Sequence, residues 1–122
     1  MKIGVFDSGI GGITVLTALR REIPDAEYIY LGDTANLPYG TKSPSQVIKL
    51  SLACTEFLKQ RGVDAIVVAC NTASSLALNE IREASCPIPV YGVVEPGVQT
   101  VLDELSKLDN ESDPVLVLAT RA

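Results

Sequence analysis

A cysteine ends the apolar run in the stretch VVACNTASS, residues 67–75. The run predicts a buried strand, and the small polar residues after Cys70 are typical of the start of a helix, with Asn71 or Thr72 as its cap. Most free cysteines are small buried hydrophobes, yet a thiol at a helix N-terminus is stabilised as the nucleophilic thiolate. The position of Cys70 therefore predicts a reactive group.

A second candidate site is the stretch DSGIGG, residues 7–12, which follows an apolar strand-like run. Its glycines allow a sharp turn whose backbone N–H groups bind an anion at the start of a helix. The spacing G-x-G-G differs from the dinucleotide pattern G-x-G-x-x-G, and Asp7 would repel a pyrophosphate. A small carboxylate ligand is therefore favoured over a nucleotide phosphate or a purely structural turn. Asp7, with Ser8 beside it, is predicted to be an acid/base or orienting group.

The loop GDTANLPYGTK, residues 32–42, is long for a connection in a compact domain, and long loops often carry function. Its Pro38-Tyr39-Gly40 turn is expected to bring a phenol and an open backbone N–H close to the other two groups. An ordinary surface loop would have the same composition, so this pattern counts only in combination with them.

Histidine is absent and none of the three cysteines belongs to a C-x-x-C pair. The sequence therefore argues against a zinc site and against a Cys-His catalytic pair within this chain. Cys54 falls on the apolar face of a predicted helix and Cys86 stands at the entry to a strand, so both fit structural roles. We predict no metal and no other cofactor.

The elements that must position these residues alternate between strand and helix. Strands are predicted at 2–6, 27–31, 64–69, 88–93 and 114–119, and helices at 12–23, 43–61, 72–84 and 96–108. The alternation predicts an α/β fold with a mostly parallel sheet flanked by helices, of the flavodoxin-like or Rossmann-like kind. Because ligands bind beyond the carboxyl ends of such strands, the three candidate stretches are expected to meet in one cleft.

Composition limits the classes of partner. The chain has 122 residues, 47% of them hydrophobic, and a net charge of −5 without tryptophan or a basic patch, which argues against nucleic acid. No apolar run approaches the roughly 20 residues of a membrane span. The first residues, MKIGVFDSG, lack the pattern of a secretory signal, and the odd cysteine count favours reduced thiols. A cytoplasmic protein is therefore expected.

Three segments together, IGVFDSGIGGITVL, GDTANLPYG and ACNTAS, resemble the glutamate racemase family of cofactor-independent amino-acid racemases. The resemblance extends over essentially the whole chain, which is similar to the first part of a protein about twice as long. It implies interconversion of L- and D-glutamate for peptidoglycan synthesis, without pyridoxal phosphate or metal, by two thiols on opposite faces of the substrate.

Carried over residue by residue, the resemblance makes Cys70 the first catalytic thiol and Asp7 the carboxylate that assists proton movement there. It implies substrate contacts from a further set of residues, which comprises Ser8, Pro38, Tyr39, Gly40, Asn71, Thr72 and Thr120. Glutamate is thus the expected small-molecule partner, and a homodimer is left open.

The sequence departs from the family in one respect, because the Gly-Cys-Thr-His segment that carries the second thiol is missing. The family has two lobes, which implies that residues 1–95 form most of the first and residues 96–122 begin an incomplete second. The chain is therefore expected to be truncated and inactive alone.

Three other readings stay open at this stage. One is a relative with another substrate, such as an aspartate or hydantoin racemase or a maleate isomerase. Another is a domain that binds a small anion without catalysis. The third is a redox-sensing protein in which Cys70 reacts with peroxide.

Overall fold

The protein is described by a computed structural model over residues 1–107 and 115–120. Four parallel strands form one sheet in the order β2-β1-β3-β4, and helices follow the strands in the chain. The strands are β1 (Lys2–Asp7), β2 (Glu27–Gly32), β3 (Ala65–Val68) and β4 (Val90–Gly92). The helices are α1 (Ile13–Glu22), α2 (Pro44–Lys59), α3 (Asn71–Leu76), α4 (Leu78–Ser85) and α5 (Val94–Leu105). The predicted α/β class is confirmed, and the strand order is the flavodoxin-like one.

The central strand β1 is buried on both faces, as expected of a parallel strand covered by helices. On one face Ile3 and Val5 pack with Val15, Leu16 and Leu19 of α1. On the other face Phe6 packs in a larger cluster with residues of β3 and of helices α2, α3 and α4. Alternating side chains therefore fix β1 between two apolar layers, which holds its carboxyl end in place.

The start of α2 is set by local chemistry, as the sequence predicts. The Ser43 hydroxyl accepts the Gln46 backbone N–H, while the Gln46 side chain accepts the Ser43 N–H, with Pro44 in the first turn. This capping box satisfies two N–H groups that the helix itself leaves unpaired. At the other end, Gly62 adopts φ of 67°, a left-handed conformation that glycine takes without steric cost.

The single helix predicted over 72–84 is wrong, because the structure divides it into α3 and α4. Ala77 has φ −131° and ψ 1°, which ends α3 and starts α4. No glycine or proline marks this break in the sequence. Ala77 is fully buried in the main core cluster. We infer that packing sets the break, because the local sequence gives no signal for it.

The fifth strand predicted over 114–119 is also wrong for the part that the structure describes. Residues 115–120 have no regular secondary structure, and the side chains of Val115 to Leu118 are 50–87% exposed. Within the described ranges no strand runs beside this segment, and an isolated extended segment has no ladder to stabilise it. The predicted polar turn over 109–113 lies outside the described residues, and the division at residue 95, which falls in the first turn of α5, stays a prediction.

In the described part of the chain, no helix combines the length and the apolar character that crossing a membrane requires.

Candidate active site

A cleft of about 470 Å³ lies at the carboxyl ends of β1 and β3. This is the point where the strand order reverses, and flavodoxin-like sheets bind their ligands there. The cleft is lined by the nine residues predicted for the site, Asp7, Ser8, Pro38, Tyr39, Gly40, Cys70, Asn71, Thr72 and Thr120. The three stretches singled out in the sequence therefore do converge, although their functional roles stay predictions.

Cys70 is 5% exposed and lies between the end of β3 and the first turn of α3. Its thiol donates to the Ser8 hydroxyl across 3.4 Å, and its Sγ accepts the Ala73 backbone N–H at 3.4 Å. The thiol is therefore the helix cap itself, so the prediction of Asn71 or Thr72 as the cap is wrong. The sulfur is thus held in place from two sides, by a side-chain hydroxyl and by a backbone N–H.

The Asp7 carboxylate fills the turn that the glycines form. Its Oδ2 accepts the Gly9 N–H at 3.2 Å and the Gly12 N–H at 3.0 Å, and the residue is 7% exposed. The sequence predicts an anion nest for a ligand, but these two N–H groups bind the side chain of the strand end instead. A buried carboxylate is stable only with such donors, so Asp7 is held as a fixed negative group beside the cleft.

The backbone angles of Gly12, φ −64° and ψ −8°, are open to any residue, so its conformation does not require glycine. Its close packing does. A Cβ at this position would lie 2.7 Å from the Asp7 Cβ and 2.8 Å from the Ala69 Cβ. Helix α1 therefore approaches the ends of β1 and β3 as closely as a glycine permits. That approach brings the Gly12 N–H within reach of the Asp7 carboxylate.

Tyr39 lies in the short 3-10 turn Tyr39–Thr41, and its phenol hydroxyl is bound within the protein. The hydroxyl donates to Asp33 Oδ2 at 2.7 Å and lies 3.9 Å from the Cys54 Sγ, and the residue is 1% exposed. Tyr39 thus lines the cleft from a buried position, close to the other two groups as expected, and a contact between its phenol and a ligand stays a prediction. Burial and the bond to Asp33 raise the pKa of Tyr39 well above its usual range.

Asp33 organises this loop, and sequence reasoning did not single it out. Its carboxylate accepts the Asn36 side-chain amide at 2.9 and 3.1 Å as well as the Tyr39 hydroxyl. Its backbone N–H also donates to the Asp7 carbonyl at 2.9 Å, which continues the sheet into the loop. The available signal was an acidic residue directly after a predicted strand, followed by amide and phenol groups within a few residues.

Two threonines and a glycine also line the cleft and contact one another. The hydroxyls of Thr72 and Thr120 lie 3.3 Å apart. A Cβ at Gly40 would lie 2.7–2.9 Å from the Thr120 side chain, so this contact also requires glycine. Thr120, which the resemblance placed near the substrate, thus packs directly on the Gly40 turn. Other residues on the cleft wall, Gly11, Thr14, Val15, Ala69 and Val93, were not predicted.

The buried Cys54 thiol lies 3.9 Å from the Tyr39 hydroxyl, and its ionisation can be used to test how these two side chains pack. Burial raises the pKa of Cys54 to about 11, partly offset by the Tyr39 hydrogen bond and reinforced by the nearby Asp33 and Cys70 charges. Above the ordinary thiol pKa of about 8.5, the unfolded chain loses this proton while the folded chain keeps it. The free energy of unfolding is therefore expected to fall as the pH rises from about 8.5 toward the folded-state value.

Urea denaturation across this pH range measures that slope. Cys54→Ala should flatten it between about pH 8.5 and 10, below the range in which Tyr39 also contributes. Cys86→Ala, which removes an exposed thiol, should keep the wild-type slope. Equal slopes for wild type and Cys54→Ala would show that the thiol is not protected in the folded chain.

Metal binding receives no support from the geometry. Within residues 1–107 and 115–120, no three His, Cys, Asp or Glu side chains group closely enough to hold an ion. The site instead combines a thiol, a carboxylate held by backbone N–H groups, and hydroxyls at the mouth of a parallel sheet. These groups define an α/β protein whose cleft is equipped for acid/base or nucleophilic chemistry on a small molecule.

Comparison with known proteins identifies the family. The model of the Asp/Glu/hydantoin racemase family matches residues 13–122, so the chain belongs to that family. A curated glutamate racemase of Persephonella marina is 48% identical over all 122 residues, which are 45% of its length.

Solved structures agree with this assignment. The glutamate racemase from Aquifex pyrophilus matches with a TM-score of 0.82 and 53% identity, over 85% of this chain and 41% of that one. The Francisella tularensis glutamate racemase, solved in complex with D-glutamate, matches with a TM-score of 0.79 and 44% identity, over 82% and 38%. The chain therefore spans less than half the length of these relatives.

Proposed function

We propose that this chain forms one wall of the active site of a cofactor-independent racemase that interconverts L- and D-glutamate. The observation that carries the proposal is the Cys70 thiol in the cleft, in contact with Ser8 and with the Ala73 N–H. The family match supports it, and so do the relatives, which are glutamate racemases, one of them with D-glutamate bound.

Racemisation removes the α-proton from one face of the amino acid and returns a proton to the other face. In one direction the Cys70 thiolate takes the proton, so that a C–H bond breaks, an S–H bond forms and the electron pair stays on the α-carbon. In the other direction the Cys70 thiol gives its proton to the carbanion on the same face. A thiol suits both steps because it exchanges readily between its two forms near neutral pH.

Recognition of the substrate is proposed to use neutral donors. Asp7 is the one charged residue among the described residues that line the cleft. The carboxylates of glutamate would therefore bind to hydroxyl, amide and backbone N–H groups, supplied by Ser8, Asn71, Thr72, Thr120 and the Pro38–Gly40 turn. Asp7 is proposed to assist proton movement on the Cys70 side, as a fixed negative charge that stabilises a positive charge on the substrate amine.

The second face needs a second acid/base group, which we propose comes from residues beyond these 122. Cys54 is buried behind Tyr39, and exposed Cys86 lies at the C-terminal end of α4, so neither borders the cleft. These residues alone are thus proposed to be inactive. The further proposals that the resemblance implies are a cytoplasmic location and supply of D-glutamate for peptidoglycan.

The experiment incubates the complete gene product with L-glutamate in D₂O and follows the α-proton by NMR. We expect loss of the α-proton signal and appearance of D-glutamate, and neither change with the 122-residue chain by itself. Aspartate and hydantoins serve as parallel substrates, because the family includes racemases for them. Exchange of the α-proton of one of these compounds, with none in glutamate, would contradict the proposed substrate. Turnover by the 122-residue chain would contradict the proposal that the second acid/base group lies outside it.

A further inference from the structure

The carbonyl of Gly9 is held from two sides by β2. The Tyr30 hydroxyl donates to it at 3.1 Å. A Cβ at Gly32 would lie 2.4 Å from the same oxygen, so the strand reaches this position only because residue 32 is a glycine. The Gly9 peptide is therefore fixed between a hydrogen bond and a backbone contact, although Tyr30 is not among the residues that line the cleft.

Fixing Gly9 also fixes the groups around Cys70. The Gly9 N–H donates to the Asp7 carboxylate, and the preceding residue, Ser8, accepts the Cys70 thiol. The Gly9 carbonyl and the Gly9 N–H lie in the two planar peptide groups that meet at the Gly9 Cα, so a shift of Gly9 would move both contacts. The hydroxyl of Tyr30 also lies 3.2 Å from the position of a Cβ at Gly12, so it packs over the whole turn.

The Tyr30 hydroxyl is suited to a permanent donor role. A tyrosine keeps its proton across the neutral range, and burial together with the negative charge of Asp7 raises the pKa of Tyr30 further above its ordinary value. The donor therefore holds the same carbonyl throughout a reaction in which Cys70 gains and loses its proton.

We infer that Tyr30 is a positioning residue for the chemistry at Cys70, since its hydroxyl holds the Gly9 peptide and thereby aligns Ser8 and Asp7 with the thiol. This inference rests on the proposed function. It assigns to Tyr30 no contact with the substrate, and it predicts an effect on the rate of proton transfer that exceeds the effect on substrate binding.

The chain offers a matched control on the same strand. Tyr28 lies two residues before Tyr30, packs in the same cluster against α1, and shares its one hydroxyl proton between the Leu19 and Ile23 carbonyls, which lie at 3.0 and 2.9 Å. Those acceptors belong to the far end of α1. Tyr28→Phe and Tyr30→Phe thus each remove one phenol oxygen that bonds to the backbone. Only Tyr30→Phe removes a hydrogen bond to the turn beside Cys70.

The first measurement is steady-state racemisation of glutamate by the complete gene product. Tyr30→Phe is expected to lower kcat about tenfold, as the loss of one partly buried hydrogen bond would, with KM changed less than about twofold. Tyr28→Phe should lower the melting temperature by a similar amount and leave kcat within about twofold of wild type. An equal fall of kcat in both variants, or an unchanged kcat in Tyr30→Phe, would overturn the inference.

The second measurement does not depend on glutamate. Alkylation of Cys70 by iodoacetamide in the 122-residue chain is followed by peptide mass spectrometry, which separates it from Cys54 and Cys86. Tyr30→Phe should raise the Cys70 rate at least about threefold by releasing the turn, and Tyr28→Phe should not. Equal alkylation rates in the two variants would overturn the inference. If the complete gene product did not turn over glutamate, the proposed function would be contradicted, and the alkylation rates alone would then test the role of Tyr30.

Discussion

Cys70→Ser is expected to lower glutamate racemisation by the complete gene product more than about a thousandfold in both directions, the scale of general acid–base catalysis. Serine keeps the size of the side chain and can still accept the Ala73 N–H, so the cap and the fold should survive. Its hydroxyl is far too weak an acid to exchange a proton as the thiol does. Polarimetry and solvent-deuterium incorporation measure the loss.

Two controls separate loss of chemistry from loss of structure. Cys86→Ser replaces an exposed thiol away from the cleft and should keep wild-type turnover. The circular dichroism and melting temperature of Cys70→Ser should match those of wild type. If this variant retained more than about a tenth of the activity, a thiol at residue 70 would not be the acid/base group.

Gly12→Ala is expected to destabilise the fold by about 3 kcal/mol, the scale of overpacking in a rigid core. The added methyl group would lie 2.7 Å from the Asp7 Cβ and 2.8 Å from the Ala69 Cβ, both of which are fixed to strand ends. Helix α1 must then move away from the sheet, which also removes the Gly12 N–H from the Asp7 carboxylate. Urea denaturation of the 122-residue chain measures the free energy of unfolding.

Gly11→Ala is the matched control from the same turn. A Cβ at Gly11 would lie 3.8 Å from Asp7 Oδ2, an ordinary contact distance, so the cost should stay below about 1 kcal/mol. Similar losses in the two variants would show that chain flexibility in the turn matters more than the close approach of α1.

The order of elements was predictable because its signals are local. Apolar runs and helical spacing place β1, α1, β2 and β3 within a few residues, and the Ser43 capping box fixes the start of α2. The convergence of the candidate residues was predictable for a related reason. In a parallel sheet every carboxyl end lies on one edge, so residues that follow strands become neighbours without any knowledge of side-chain packing.

What the sequence did not reveal depends on contacts between distant residues. The break at Ala77 lies in the core, and the segment 115–120 forms no strand because pairing needs a neighbour. The sequence of the glycine turn predicts an anion-binding site for a ligand, whereas in the structure the Gly9 and Gly12 N–H groups bind the Asp7 side chain. The direction of the Tyr39 phenol depends on Asp33, six residues earlier in the chain, and on Cys54 in another helix.

The strand order has a consequence for synthesis of the chain on the ribosome. Strand β1 gains its first neighbour once residue 32 has been made, but the second, β3, is complete only at residue 68. Until then one edge of an apolar strand is unpaired, and parallel pairing across a long crossover forms slowly. The Asp7 turn therefore forms before Cys70 can join it, and a nascent chain of intermediate length exposes an apolar strand edge that β3 later covers.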